Sequence, residues 1–254
     1  MTSAGSVVRP AADAAAYRAI EHIYHSYLTG LILMLASRAG APRAAEVVFR
    51  TFRRQQLARF LPGLKKLGLD QLPHAVACAQ YHYLSNQVGG VKVEYVYESD
   101  TKAWVRYPPP RWIWSGTAIC GIPSEVSRAM LRGWHANNGV VLGNPRLGFV
   151  CTGQTVDGQP GLEGYYKEWD HDLAPEERLQ FSPGERCPPF RADLAPRLPG
   201  NTCRRNGCRR CFAIMRWNTS PRSCRKRSAC SVRKRAAISP VRRRGSSGCT
   251  PSTR

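Results

Sequence analysis

The chain has no long apolar run, no signal-peptide pattern in residues 1–10 and, past Asp193, no acidic residue at all. Each gap excludes something. The most apolar stretch, residues 28–36, is interrupted by Thr29 and Gly30 and falls far short of the ~20 residues a membrane helix needs, so no membrane partner is expected. Residues 1–10 lack the basic region, apolar core and small-residue cleavage site of a signal peptide, which makes the cytoplasm the expected compartment. The cysteines of the body, Cys78, Cys120 and Cys151, stand far apart and fit a reducing environment better than a disulfide framework. Leucine is also missing after Leu198, and residues 201–254 hold only seven larger apolar side chains. Such a segment buries too little surface to offset the entropy of ordering it, which predicts disorder.

What is abundant is positive charge, and its location matters more than its size. The formal net charge is +21, but residues 201–254 hold 16 of the 38 Lys and Arg. The first 200 residues keep 22 basic groups and all 17 acidic ones, a net of +5. A nucleic-acid partner is therefore confined to residues 201–254, and only if that segment is native sequence. A GC-rich gene read out of frame gives the same Arg-, Ser-, Pro- and Cys-rich composition. The six cysteines there include a single C-x-x-C with no histidine after it, which is poor for a zinc module. The organisation expected is one α+β domain over residues 11–186, followed by a Pro/Arg/Cys-rich tail over 187–254.

Within the body, hydrophobic spacing reads as helices first and strands later. Tyr17, Ile20, Tyr24, Leu28, Leu31 and Leu35 recur at steps of three and four, one face of a first helix. A second, over 43–61, buries Val47, Val48 and Phe52 and exposes Arg50, Arg53, Arg54 and Arg59, a face most simply read as solvated. Leu61-Pro-Gly should break it. A third helix, 74–87, puts His74, Cys78 and His82 on one stripe. Two full turns span ~12 Å, too far for the three to share an ion, so no metal is expected. From Val91 the period changes to two: a strand over 91–97, a turn at 98–101 and a returning strand over 102–107, stopped by Pro108-Pro-Pro110.

Residues 112–169 form the central stretch. Trp112 to Cys120 reads as a strand, and Gly121-Ile-Pro-Ser-Glu as a junction into a helix over 124–138 with Ser124 as N-cap. Val126, Ala129, Met130, Gly133 and Trp134 make its apolar face. Arg128, Arg132 and His135 make the opposite stripe, which is either solvated or, facing a cleft, offers two cations and an imidazole to a small anionic molecule. Strands over 146–155 and 162–169 follow, joined through Asp157-Gly158. Glu163 is a general base if buried and a cross-strand charge partner if exposed. Asp170-His-Asp172 reads as a surface turn. The fold predicted is α+β: N-terminal helices packed with a small, mainly antiparallel sheet in a two-layer domain, followed by a disordered basic tail.

The order of elements, the strand ending in Cys120, Asn144-Pro-Arg-Leu-Gly-Phe-Val and Gly161-Leu-Glu-Gly-Tyr-Tyr together resemble the L-2-amino-thiazoline-4-carboxylic acid hydrolase family over about residues 15–172. The resemblance implies hydrolytic opening of a small cyclic carboxylic acid, and no cofactor is expected. It implies Cys120 as nucleophile or orienting thiol, His135 as acid/base, Arg132 as carboxylate anchor and Asp157 or Glu163 directing water. Arg128, Trp114 and Tyr165 complete the implied substrate site. Family members often carry a second cysteine in the last strand, where this chain has Glu163 or Gly164. A non-catalytic small-molecule-binding module similar to the 4-vinyl reductase domains has the same plan of helices and sheet and is the alternative.

Overall fold

The computed structural model describes residues 10–88, 91–109 and 121–198. Three helices come first: α1 (Pro10–Ala39), α2 (Ala41–Leu67) and α3 (His74–Val88). The hairpin β1 (Glu94–Ser99) and β2 (Lys102–Tyr107) follows, then α4 (Ser124–Gly133), a 3-10 turn (His135–Asn137), the short α5 (Asn138–Val141), β3 (Leu147–Gly153), β4 (Leu162–Glu168) and β5 (Leu179–Phe181). The strands form one sheet in the order β1-β2-β4-β3-β5, antiparallel except where β5 pairs with β3. This is the α+β, mainly antiparallel, two-layer plan read from the sequence. The predicted strand from Trp112 to Cys120 and the tail from residue 199 onward lie outside the described residues. Among the described residues no helix is long and apolar enough to cross a membrane.

Strand alternation divides the side chains between the two faces of the sheet. Tyr95, Val105, Tyr107, Phe149, Cys151 and Tyr166 join the main core with α2, α3 and α4. Their neighbours Trp104, Val150 and Tyr165 turn outward and pack with Cys187. Residue 187, placed in the tail by composition, thus belongs to the body. Phe190 and Ala195 also touch the main core. The short β5 was not visible in a proline-rich stretch with no periodicity; it exists through its pairing with β3.

Three other differences have local causes. Pro62 does not end α2, which runs on to Leu67. An interior proline costs about 3 kcal/mol, but Phe60, Leu64 and Leu67 lie on one face and are all buried, each contributing about 1.5–3 kcal/mol. Burial outweighs the lost hydrogen bond. In α1, Ile20 and Tyr24 are exposed, and among the side chains described the core is reached from Leu28, Thr29 and Ile32 onward. Finally, α4 stops at Gly133 instead of Asn138, and its N-cap is Pro123 with no side-chain cap bond. Beyond Trp134 the winding tightens, with Asn137 N–H bonded to the Trp134 carbonyl three residues back.

The α4 terminus is fixed by α2. Arg53 Nε donates to the Gly133 carbonyl at 2.9 Å and Nη2 to the Arg132 carbonyl at 3.0 Å, satisfying two of the carbonyls a helix end leaves open. Arg53 is therefore a cap, not a solvated charge. Gly133 has to be small here, because a Cβ would stand 2.8 Å from the Phe49 carbonyl oxygen.

Candidate functional site

Two groupings of polar side chains stand out: a histidine pair in the interior and a cleft at the end of β3. The first is centred on His82 of α3. Its ring lies face to face with His135, centroids 4.4 Å apart and planes 7° from parallel, and both residues are buried. His135 reaches this position because the tightened winding after Trp134 turns it away from the Arg128 and Arg132 side of α4 and into the helix–sheet interface. Arg128 and Arg132 remain exposed. The expected stripe of two cations and one imidazole is thus split.

The hydrogen bonds around His82 have a direction. Asn137 Nδ2 donates to Gln56 Oε1 at 2.8 Å, Gln56 Nε2 to Asn138 Oδ1 at 3.1 Å, and Asn138 Nδ2 to the Tyr166 hydroxyl at 2.9 Å. A phenol that accepts from Asn138 still has its own hydrogen to give. That hydrogen points to His82 Nε2 at 2.8 Å. Neutral His82 then carries its proton on Nδ1 and donates it to the Tyr107 hydroxyl at 2.7 Å. The relay joins α2, the 3-10 turn, α5, β4, α3 and β2. Burial pushes the Tyr166 hydroxyl well above its ordinary range, which keeps it protonated as a donor.

The α3 stripe is used residue by residue. His74 Nδ1 meets Asn144 Nδ2 at 2.9 Å, Cys78 meets Asn138, and His82 meets the two tyrosines. Each anchors a different point of the segment between α4 and β3 or of the sheet. Among the described residues no three His, Cys, Asp or Glu side chains are grouped as a metal ion would require.

The remaining candidates lie elsewhere. Glu163 and Tyr165 project from the outer face of β4, one strand position out of phase with Tyr166 and so on the opposite side from His135. Glu163 faces Arg186 at 3.8 Å. Tyr165 stacks edge-on with Trp104 at 4.6 Å, lies under Lys102 and donates its hydroxyl to Glu185 at 2.8 Å. Cys120 and Trp114 are outside the described residues. Gly164 lies directly across from Cys151 of β3.

Arg128 and Asp157, which sequence spacing did not pair, both belong to the second grouping. Together with Cys151, Thr152, Gln154, Gln159 and Phe181 they line a cleft of about 140 Å³ between α4 and the end of β3. Gly158, at φ 80°, closes the turn that brings Asp157 back to the strand. Burial raises the Cys151 thiol to about 12, and it donates to the Gly153 carbonyl, so it is a neutral group there and not a thiolate. A wider depression of about 520 Å³ over α2, lined by Phe49, Leu57 and the side chains of Arg50, Arg53 and Arg54, has a basic rim but an open form.

His82 is the residue that sequence reasoning missed as a site member. Its spacing from His74 and Cys78 drew attention to metal geometry, whereas its partners are two tyrosines and a histidine 25 to 84 positions away. Comparison with family models, with curated proteins and with solved structures finds no match.

Proposed function

We propose that the domain takes a small cyclic carboxylic acid and opens it by hydrolysis, with His135 as the proton-transfer group. The observation that carries this reading is the face-to-face pair of His135 and His82 in a desolvated interface, where His82 is bonded to a phenol through each nitrogen. Burying two imidazoles costs free energy that an apolar core would not, and the oriented relay behind His82 fixes both ring plane and tautomer. In hydrolysis His135 accepts a proton from the attacking water or thiol and returns it to the nitrogen that leaves as the ring opens. Cys120 immediately precedes Gly121, within reach in sequence of α4, and is the thiol assigned to this step by the resemblance. The resemblance assigns the carboxylate anchor to Arg132, which is exposed on α4 away from the buried His135.

The test is turnover of thiazoline carboxylates by the intact chain, with the variants Cys120→Ala and His135→Gln. Wild-type protein should open the ring, and His135→Gln should lower the rate about 100-fold or more with ligand binding retained. A specific observation favours a second reading, binding without catalysis. Glu163 and Tyr165 are on the far face of the sheet from His135, so Glu163, one of the two acids of the expected Cys/His/acid constellation, is not beside the imidazole. Saturable binding with no turnover of any cyclic carboxylate would select that reading.

A further inference from the structure

We infer that the cleft between α4 and the end of β3 is a binding site for a small zwitterion bearing an ammonium and a carboxylate group, the class of the free amino acids. The inference is separate from the reading at His135. Cys151, on the cleft floor, is two residues along β3 from Phe149, whose ring lies 4.6 Å from that of His135. Two strand residues correspond to about 7 Å.

The chemistry of the lining selects the ligand. Thr152 and Gln154 are only 1% and 2% exposed, and Thr152 Oγ1 and Gln154 Oε1, both shut off from solvent, have no hydrogen-bond partner among the described residues. Gln154 is held in place from two sides. Its backbone N–H donates to Gln159 Oε1 at 2.5 Å, and its Nε2 donates to Asp157 Oδ2 at 2.8 Å. The Gln154 amide thereby holds the Asp157 carboxylate at the cleft wall. The Asp157 carboxylate, whose Oδ2 accepts from Gln154, is therefore the acceptor that the cleft offers to an ammonium ion. The Arg128 guanidinium, 4.6 Å above the Phe181 ring, lines the same cleft and forms no ion pair among the described residues. It is the counterpart for a carboxylate. The volume of about 140 Å³ equals roughly five water molecules at ~30 Å³ each, enough for a small amino acid and too little for a nucleotide.

The experiment is a titration of the full chain, followed by amide NMR shifts of residues 151–154, with glycine and L-alanine as ligands and acetate and methylammonium as half-ligands. Arg128→Gln and Asp157→Asn alter exposed side chains and should keep the folded spectrum. The amino acids should give saturable shifts at those amides. Each half-ligand should bind about tenfold more weakly or worse, and each variant should lose about tenfold in affinity, as expected for a charge-assisted hydrogen bond. No saturable shift with either amino acid overturns the inference, as does acetate binding as tightly as glycine with Asp157→Asn unchanged. The result leaves the reading at His135 standing or falling on its own assay.

Discussion

Burial raises the thiols of Cys151 and Cys187 to about 12 from an ordinary value of 9.0, and pushes Cys78 well above it. In the folded chain these groups stay neutral where the unfolded chain begins to ionise. The stability they contribute is therefore fully present below pH 9 and is lost as pH rises from 9 through 12. Two outcomes follow. Iodoacetamide at pH 8 should leave these three cysteines unmodified in the native chain and modify them in denaturant, as read by peptide mass spectrometry. The denaturant midpoint should hold between pH 7 and 8 and fall above pH 9. Native-state labelling of Cys151 at the denatured rate would contradict its placement. At this scale the sequence was partly legible. His135 stood out as an imidazole on a cationic stripe, but its burial depends on a change of helical winding at Trp134 that no residue type announces. Asp157 and Arg128 come to line one cleft only through the Gly158 turn and the contact of α4 with residues 155–157.

Elements were more legible than their ends. The returning strand of the hairpin, the third helix and the strands on either side of Asp157-Gly158 follow from period and turn chemistry, because a two-residue or 3.6-residue repeat is a local property. Limits that depend on distant contacts were not legible. Pro62 is tolerated because Phe60, Leu64 and Leu67 are buried together, and α4 ends where Arg53, 80 residues earlier, caps Gly133. Gly133→Ala tests that junction. Its methyl group would meet the α2 backbone at Phe49 and Arg53, and overpacking of this kind costs about 1–3 kcal/mol. Urea denaturation should show a loss in that range, with an unchanged midpoint meaning that α2 and α4 do not approach so closely.

For the molecule as a whole, bulk composition was a poor guide and segment composition a good one. The net charge of +21 lies largely in residues 201–254, whereas the described body is a two-layer α+β domain whose distinctive interior feature is a polar cluster: paired imidazoles, two phenols and three carboxamides joined across six elements. Placing small-molecule chemistry at that cluster is the central claim. It is tested most directly by nitrogen-15 spectra of the histidine rings in the full chain, assigned with His82→Gln and His135→Gln and recorded during titration with a thiazoline-4-carboxylate. The account predicts that His82 begins as the Nδ1–H tautomer and that the ring nitrogens of both His135 and His82 shift saturably as ligand is added. Signals of both rings that stay fixed to the solubility limit of the ligand would contradict it.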